Sequence, residues 1–130
     1  MAVDNLLDIT GGFVTKTATF TSNPVALSTG RTPLRKPLWI RIRYKSASNA
    51  SGSNTVQFSA QDQDVTNTYY DKEFSPVITL TTTAQSGEYF IPLVGFGRYS
   101  AGNIQFKCTI AGAGSTPTVT FAAEIVNATG

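Results

Sequence analysis

The sequence alternates between short runs rich in β-branched and aromatic residues and turn segments rich in glycine, proline, serine and asparagine. The runs follow one another at fairly even spacing and cover residues 13–20, 24–27, 38–45, 54–60, 65–70, 77–82, 88–93, 104–111 and 118–126. No stretch repeats apolar residues at helical spacing, and only residues 4–9 suit a helical turn. Strands in this number and spacing are typical of a sandwich or jelly roll. We therefore predict one all-β domain, a jelly-roll-like β-sandwich of about eight strands over residues 13–130.

Composition limits the partners of such a domain. The formal net charge of the 130 residues is +2, a basic excess too small to make nucleic acid the expected partner. The first residues, MAVDNLLDITGG, lack the basic region and the following apolar region of a signal peptide. No apolar run in the sequence is long enough to span a membrane. We expect synthesis in the cytoplasm and no membrane partner. Residues 1–12 are predicted to form an N-terminal arm that orders on docking through Leu6 and Leu7, with terminal fraying as the alternative.

Catalytic chemistry is limited by the residue types that the chain lacks. It contains no histidine, which excludes Ser-His-Asp and Cys-His nucleophilic sites as well as histidine-ligated zinc. Its single cysteine, Cys108, lies in the strand-like run IQFKCTI and is expected to pack as a small hydrophobic residue. We predict that the protein is not an enzyme and that it uses no cofactor.

Half of the acidic residues fall in one window, QDQDVTNTYYDKE, at residues 61–73. Asp62, Asp64, Thr66 and Glu73 occupy the first, third, fifth and twelfth places of a calcium-loop pattern, while Asn67 replaces its turn glycine. The flanking runs are typical of strands rather than of the helices of an EF-hand. Two interpretations stay open: an irregular cation-binding loop, and a solvated hairpin whose acids balance nearby arginine and lysine.

Residues 38–45, LWIRIRYK, alternate apolar and basic side chains. Because side chains on a strand alternate between its two faces, one face holds a tryptophan and three cations: Trp39, Arg41, Arg43 and Lys45. Tryptophan and arginine are enriched at interface hot spots, so we predict a protein-contact strip here. Arg31, Arg35 and Lys36 in the preceding loop extend it. The alternative is that the cations merely protect the outer face of a sheet, as they do on exposed strands, and that Trp39 packs under a loop.

Four segments are distributed along nearly the whole chain: TKTATFTSNPVALSTGR, KPLWIRIRYKSASNASGSNTVQFSAQDQD, SGEYFIPL and GRYSAGNIQFKCTIAGAGSTPTVTFAAEIV. In their order and spacing they resemble the jelly-roll capsid cement, or decoration, proteins of tailed bacteriophages. The matched positions are mainly turn glycines, strand hydrophobic residues and the Arg98-Tyr99 corner. The resemblance implies a structural protein on the outer surface of the phage head, where it bridges neighbouring subunits of the major capsid protein. It also implies self-association as a homodimer or homotrimer.

A carbohydrate-binding, lectin-like module is the competing function, because jelly rolls also serve as lectins. Tyr69, Tyr70 and Asp71 beside Asn67 have the residue types that stack on sugar rings and orient hydroxyl groups. Consecutive residues of one strand point to opposite faces, so we expect at most one of the two tyrosines to be exposed. A third function, the coat subunit of a small RNA virus, predicts a basic arm, but residues 1–30 contain Lys16 as their only cation.

Overall fold

The structure is a computed structural model that describes residues 2–26, 38–96 and 103–129. These residues contain no helix, and therefore none that is long and apolar enough to cross a membrane. They form the strands β1 (Ala2–Asp8), β2 (Val14–Lys16), β3 (Phe20–Thr21), β4 (Val25–Ala26), β5 (Leu38–Ser48), β6 (Asn54–Gln63), β7 (Tyr69–Phe74), β8 (Ile78–Leu80), β9 (Gln85–Pro92), β10 (Asn103–Gly112) and β11 (Thr118–Thr129).

The strands form two antiparallel sheets. The first sheet has the order β1-β11-β5-β9, and β2 pairs with β11 beyond the end of β1. The second sheet has the order β3-β10-β6-β7, where β4 continues the edge of β3 and β8 continues the edge of β7. Each sheet therefore has four positions across its width.

The order of these positions is that of a jelly roll. Numbered along the chain, with β1–β2, β3–β4 and β7–β8 counted as one position each, the two sheets follow the orders 1-8-3-6 and 2-7-4-5. Each sheet thus contains both early and late segments, as in a pair of interlocked Greek keys. The predicted all-β, jelly-roll-like sandwich of about eight strands is confirmed.

The core lies between the sheets and follows the alternation in the sequence. Ile40 and Ile42 of β5 are fully buried, as are alternate residues of β10 and β11: Ile104, Phe106, Cys108, Val119, Phe121 and Ala123. Phe58, Phe106 and Phe121 form a central aromatic cluster with ring centroids 5.5–5.9 Å apart. Burial raises the pKa of the Cys108 thiol to about 12. The prediction that Cys108 packs as a small hydrophobic residue is confirmed.

The edges of the second sheet are interrupted at two buried serines. Between β3 and β4, Ser22 donates its backbone N–H to the Phe106 carbonyl and accepts the Phe106 N–H on its hydroxyl oxygen. Between β7 and β8, Ser75 makes the same pair of bonds with Phe58. In both places a serine hydroxyl replaces a strand carbonyl, so the buried backbone groups stay satisfied where the edge bends.

The N-terminal segment differs from the prediction of an arm outside the sandwich. Residues 2–8 form the edge strand β1, which pairs with β11 from Ala2↔Thr129 to Asp8↔Glu124. The physical reason is that β2 pairs with only the first part of β11. On the side of β11 away from β5, the later residues of β11 therefore have free backbone groups, with which β1 pairs. Leu6 and Leu7 lie on this strand, and the structure does not describe their side chains. Ordering of the segment on docking stays a prediction.

Candidate protein-contact surface

The predicted contact strip lies on the outer face of the first sheet. Its strand, β5, is an inner strand that pairs with β11 on one side and β9 on the other. Protection of a sheet edge therefore does not explain the three cations, because β5 has no free edge. Trp39, Arg41 and Arg43 are half-buried, and Lys45 is exposed. Arg31, Arg35 and Lys36, the predicted extension, lie outside the described residues.

Two glutamates from neighbouring strands neutralise the arginines. Arg41 donates from Nε to Glu88 Oε2 of β9 at 2.7 Å. Arg43 donates from Nη2 to Glu124 Oε2 of β11 at 3.3 Å. The strip was predicted as a row of cations available to a partner. Its two arginines are instead committed to carboxylates of the same face, because register places acidic residues beside them.

Glu124 is the buried member of this network. Its side chain is 4% exposed, whereas the side chains of Arg41 and Arg43 are 26% and 38% exposed. Its Oε1 lies 3.8 Å from Arg41 Nη1 and 3.2 Å from Arg43 Nη2, and it accepts no hydrogen bond. The two guanidinium groups therefore compensate the buried charge mainly by proximity. A carboxylate at this depth requires such compensation, since an unpaired buried charge is strongly unfavourable.

Aromatic rings lie at both ends of the network. The Trp39 and Phe90 rings meet edge to face, with centroids 6.4 Å apart and an interplanar angle of 89°. At the other end, Lys45 Nζ lies 4.4 Å and Arg43 Cζ 5.2 Å from the centroid of Phe13. Phe13 is 43% exposed. Within the described part of the chain, Lys45 is the cation of the strip that has no carboxylate within salt-bridge distance.

We call this outer face the contact face and define it by Phe13, Trp39, Arg41, Arg43, Lys45, Glu88, Phe90 and Glu124. Four of these residues were not predicted from the sequence: Phe13, Glu88, Phe90 and Glu124. Alternation assigns a side chain to a face of its own strand but does not say which strands become neighbours. Phe13 follows Gly11 and Gly12, whose positive φ angles of 69° and 102° direct the chain back toward β11. This glycine pair was the one feature of the local sequence that could have indicated where Phe13 lies.

The acidic window at residues 61–73 is a β-hairpin of β6 and β7. Asp64 Oδ1 accepts hydrogen bonds from the Thr66 hydroxyl and from the backbone N–H groups of Thr66 and Thr68, and these bonds lower the pKa of Asp64. Asp62 is buried and lies 3.2 Å from Lys72 Nζ. The prediction of a hairpin is confirmed. The expectation that its acidic residues are solvated is wrong for Asp62, which is buried. Among described residues, no group of three acidic or thiol side chains is arranged to hold a metal ion.

The two tyrosines of the predicted sugar platform separate as expected. Tyr70 is 42% exposed, whereas Tyr69 is half-buried. They belong to consecutive positions of β7, so their side chains point to opposite sides of the strand. Asn67 lies in the adjoining turn with a positive φ angle of 66°. One exposed ring, rather than a pair, is available there.

No protein-family model matches the sequence, and no curated protein matches it. One solved structure to which this chain is similar is the family 11 carbohydrate-binding module of the cellulosomal cellulase Lic26A-Cel5E of Clostridium thermocellum. The two chains are 15% identical, with a TM-score of 0.41, over 99% of this chain and 95% of that one. Similarity at this level supports no statement about what this chain binds.

Proposed function

We propose that this protein is a non-catalytic decoration protein of a phage head. In this proposal it binds the outer surface of the capsid through the contact face and cements neighbouring subunits of the major capsid protein. The observation that supports docking is the contact face itself: a paired arginine–glutamate network with aromatic rings at both ends, on the outside of a sheet. The segment-by-segment resemblance to cement proteins supports the choice of the capsid as the partner.

The composition of the contact face is that of an interface. Tryptophan, phenylalanine and arginine are enriched in interface cores and hot spots. Here Trp39, Phe90 and Phe13 lie beside two arginines that ion pairs already hold in place. A side chain fixed before docking loses less conformational entropy when it binds. The face is therefore prepared to bind without rearrangement.

The charged groups of the contact face should contribute only modestly to capsid affinity. The two arginines are balanced by Glu88 and Glu124, which leaves Lys45 as the cation available to an acidic coat residue. The Phe13 ring beneath the ammonium group adds apolar area at the same point. A lattice protein can bind firmly through such a limited patch, because several copies or contacts engage together. Charge then orients docking more than it adds affinity.

The test is binding to expanded, undecorated heads, measured by co-sedimentation. The wild-type protein should bind saturably at a fixed ratio to coat subunits. The double variant Phe13→Ala/Lys45→Ser should bind about tenfold more weakly, as expected when two contact residues of modest strength are truncated. Both side chains are partly or fully solvent-exposed, so the fold should persist.

Lys107→Ser provides the matched control. Lys107 belongs to β10 of the second sheet and lies on its outer face, since Phe106 and Cys108 on either side point into the core. This variant removes the same charge from the opposite side of the molecule and should bind heads like the wild type. Failure of the folded wild-type protein to bind heads would refute the proposed function. Equal binding by the double variant would refute the contact face.

Carbohydrate binding is the second candidate, and exposed Tyr70 is the observation that favours it. Asn67, in the turn before β7, has an amide that is suited to orienting a sugar hydroxyl. A glycan array tests this function directly. Binding there that is lost in Tyr70→Ala, together with no binding to heads, would establish the carbohydrate-binding module instead.

A further inference from the structure

The edges of the sandwich differ in continuity. In the described part of the chain, three of them are broken into two short strands: β1 and β2 are separated by residues 9–13, β3 and β4 by 22–24, and β7 and β8 by 75–77. The fourth edge is β9, which runs unbroken over Gln85–Pro92 and, among the described strands, pairs only with β5. Its register with β5 is regular from Gly87 to Pro92. Long regular edges are ready templates for pairing with another strand.

The backbone groups that β9 leaves free follow from its pairing with β5. The Leu93 N–H donates to the Leu38 carbonyl at 3.0 Å, which makes this position a hydrogen-bonded pair. Hydrogen-bonded and non-bonded pairs alternate in an antiparallel ladder, so Ile91 and Tyr89 also direct their N–H and C=O groups toward β5. Glu88 and Phe90 then direct theirs to the open edge. Pro92 agrees with this assignment, because its nitrogen has no hydrogen to donate and falls on the open side.

The side chains of β9 do little to block this edge. Tyr89 and Ile91 point inward, and Ile91 is 1% exposed. The one charged residue of β9, Glu88, is held by Arg41 on the neighbouring strand at 2.7 Å. On the same side of the sandwich, the adjoining edge of the second sheet carries two exposed apolar residues, Phe74 and Val77, which are 52% and 57% exposed. An open ladder and exposed apolar side chains therefore lie on one side of the molecule.

We propose that β9 pairs antiparallel with β9 of a second copy of this chain, about a two-fold axis at Tyr89. In that register Glu88 of one copy lies opposite Phe90 of the other, and both use the backbone groups that point to the open edge. The strand is thus self-complementary in hydrogen bonding, as a two-fold interface requires. The two Tyr89 residues face each other at the centre as a non-hydrogen-bonded pair.

Charge is compatible with this register. No two glutamates lie directly opposite each other, because Glu88 faces Phe90 of the second copy. The two Glu88 residues are diagonal neighbours, and each is already paired with Arg41 of its own chain. The proposal deepens the proposed function by naming the surface that joins two decoration subunits. Its test needs no capsid, so the two proposals can fail separately.

The first test compares two substitutions at one position. Phe90→Pro removes an N–H that points away from β5, so it closes the open edge without removing a native ladder bond. Phe90→Ala is the matched control, because it also removes the ring that contacts Trp39 but keeps the N–H. Light scattering after size exclusion should show wild-type dimers, dimers for Phe90→Ala, and monomers for folded Phe90→Pro. Monomeric wild-type protein at all concentrations, or dimeric Phe90→Pro, would overturn the proposal.

A crosslink tests the register and does not depend on the fold of the proline variant. Facing residues of a non-hydrogen-bonded pair have Cα atoms about 4.5 Å apart, a separation that suits a disulfide. Tyr89→Cys should therefore form a covalent dimer under mild oxidation, since the native Cys108 is buried and does not compete. Ser86→Cys, near the exposed start of β9, should stay largely uncrosslinked. Equal crosslinking of the two variants, or none at position 89, would refute the two-fold register.

Discussion

Glu124 makes the arginine pair a stabilising feature of the fold as well as a candidate contact. Replacing both Arg41 and Arg43 with methionine keeps most of the aliphatic packing and removes both guanidinium groups. Glu124 would then be a buried carboxylate, 4% exposed, with no cation beside it. The double variant R41M/R43M is therefore expected to lose stability, and the size of the loss follows from the burial of the three side chains.

Removing one side of a fully buried ion pair lowers the free energy of unfolding by about 3–5 kcal/mol. The arginine side chains are 26% and 38% exposed, and solvent screens their interaction with Glu124. We therefore expect a loss of about 2–3 kcal/mol. With a urea m-value of about 2 kcal/mol/M for a domain of this size, the unfolding midpoint should fall by about 1–1.5 M.

The assay is urea unfolding followed by the fluorescence of Trp39, the single tryptophan, which packs against Phe90 beside the substituted residues. The triple variant R41M/R43M/E124M supplies the control. It replaces Glu124 and both arginines with apolar side chains of similar volume, a change that is often neutral or stabilising for buried ion pairs. It should recover most of the lost stability. A double variant within about 0.5 kcal/mol of the wild type, or a triple variant without recovery, would refute this account of Glu124.

Three further predictions concern other parts of the chain. Ser75→Ala leaves the buried Phe58 N–H without its hydroxyl acceptor and should lower the free energy of unfolding by about 1–3 kcal/mol. Urea titration measures this loss, and an unchanged unfolding midpoint would contradict the prediction. Cys108, with its raised pKa of about 12, should react with a thiol reagent at pH 8 only through unfolding, so its labelling rate should rise as urea lowers stability. Asp64 has a lowered pKa, so its stabilising effect is present above its unfolded pKa and lost as pH falls through the folded one. Asp64→Asn should therefore reduce the fall in thermal stability between neutral and acidic pH, and identical pH profiles would exclude this role.

Local pattern predicted much of the fold but little of the contact face. Alternation along each strand accounts for the burial of Ile40, Phe106 and Phe121, because the faces of a strand depend only on its own sequence. The partners of Arg41 and Arg43 come from β9 and β11, which are distant in sequence, so they depend on topology and register. The three cations were consequently predicted without the two glutamates that neutralise two of them.

The N-terminal segment shows a related limit. Residues 2–8 lack the sustained alternation that marks the inner strands, and their pairing depends on the free edge that β11 offers. An edge strand of this kind is specified by its neighbour more than by its own side chains. Sequence reasoning therefore placed it outside the sandwich and began the first strand-like run at residue 13, where the structure has β2 and the start of β3 within residues 13–20.

The proposed dimer would change how the contact face engages a lattice. Pairing through β9 joins the first sheet of one copy to the first sheet of the other, edge to edge. The outer faces of both copies then form one continuous surface that points the same way. Each dimer then presents two sets of Lys45 and Phe13, and engagement of the first raises the effective concentration of the second. Head binding by folded Phe90→Pro should therefore weaken more than that of Phe90→Ala, although both lack the same ring. Equal weakening would show that each copy docks independently and that the dimer, if formed, adds no avidity.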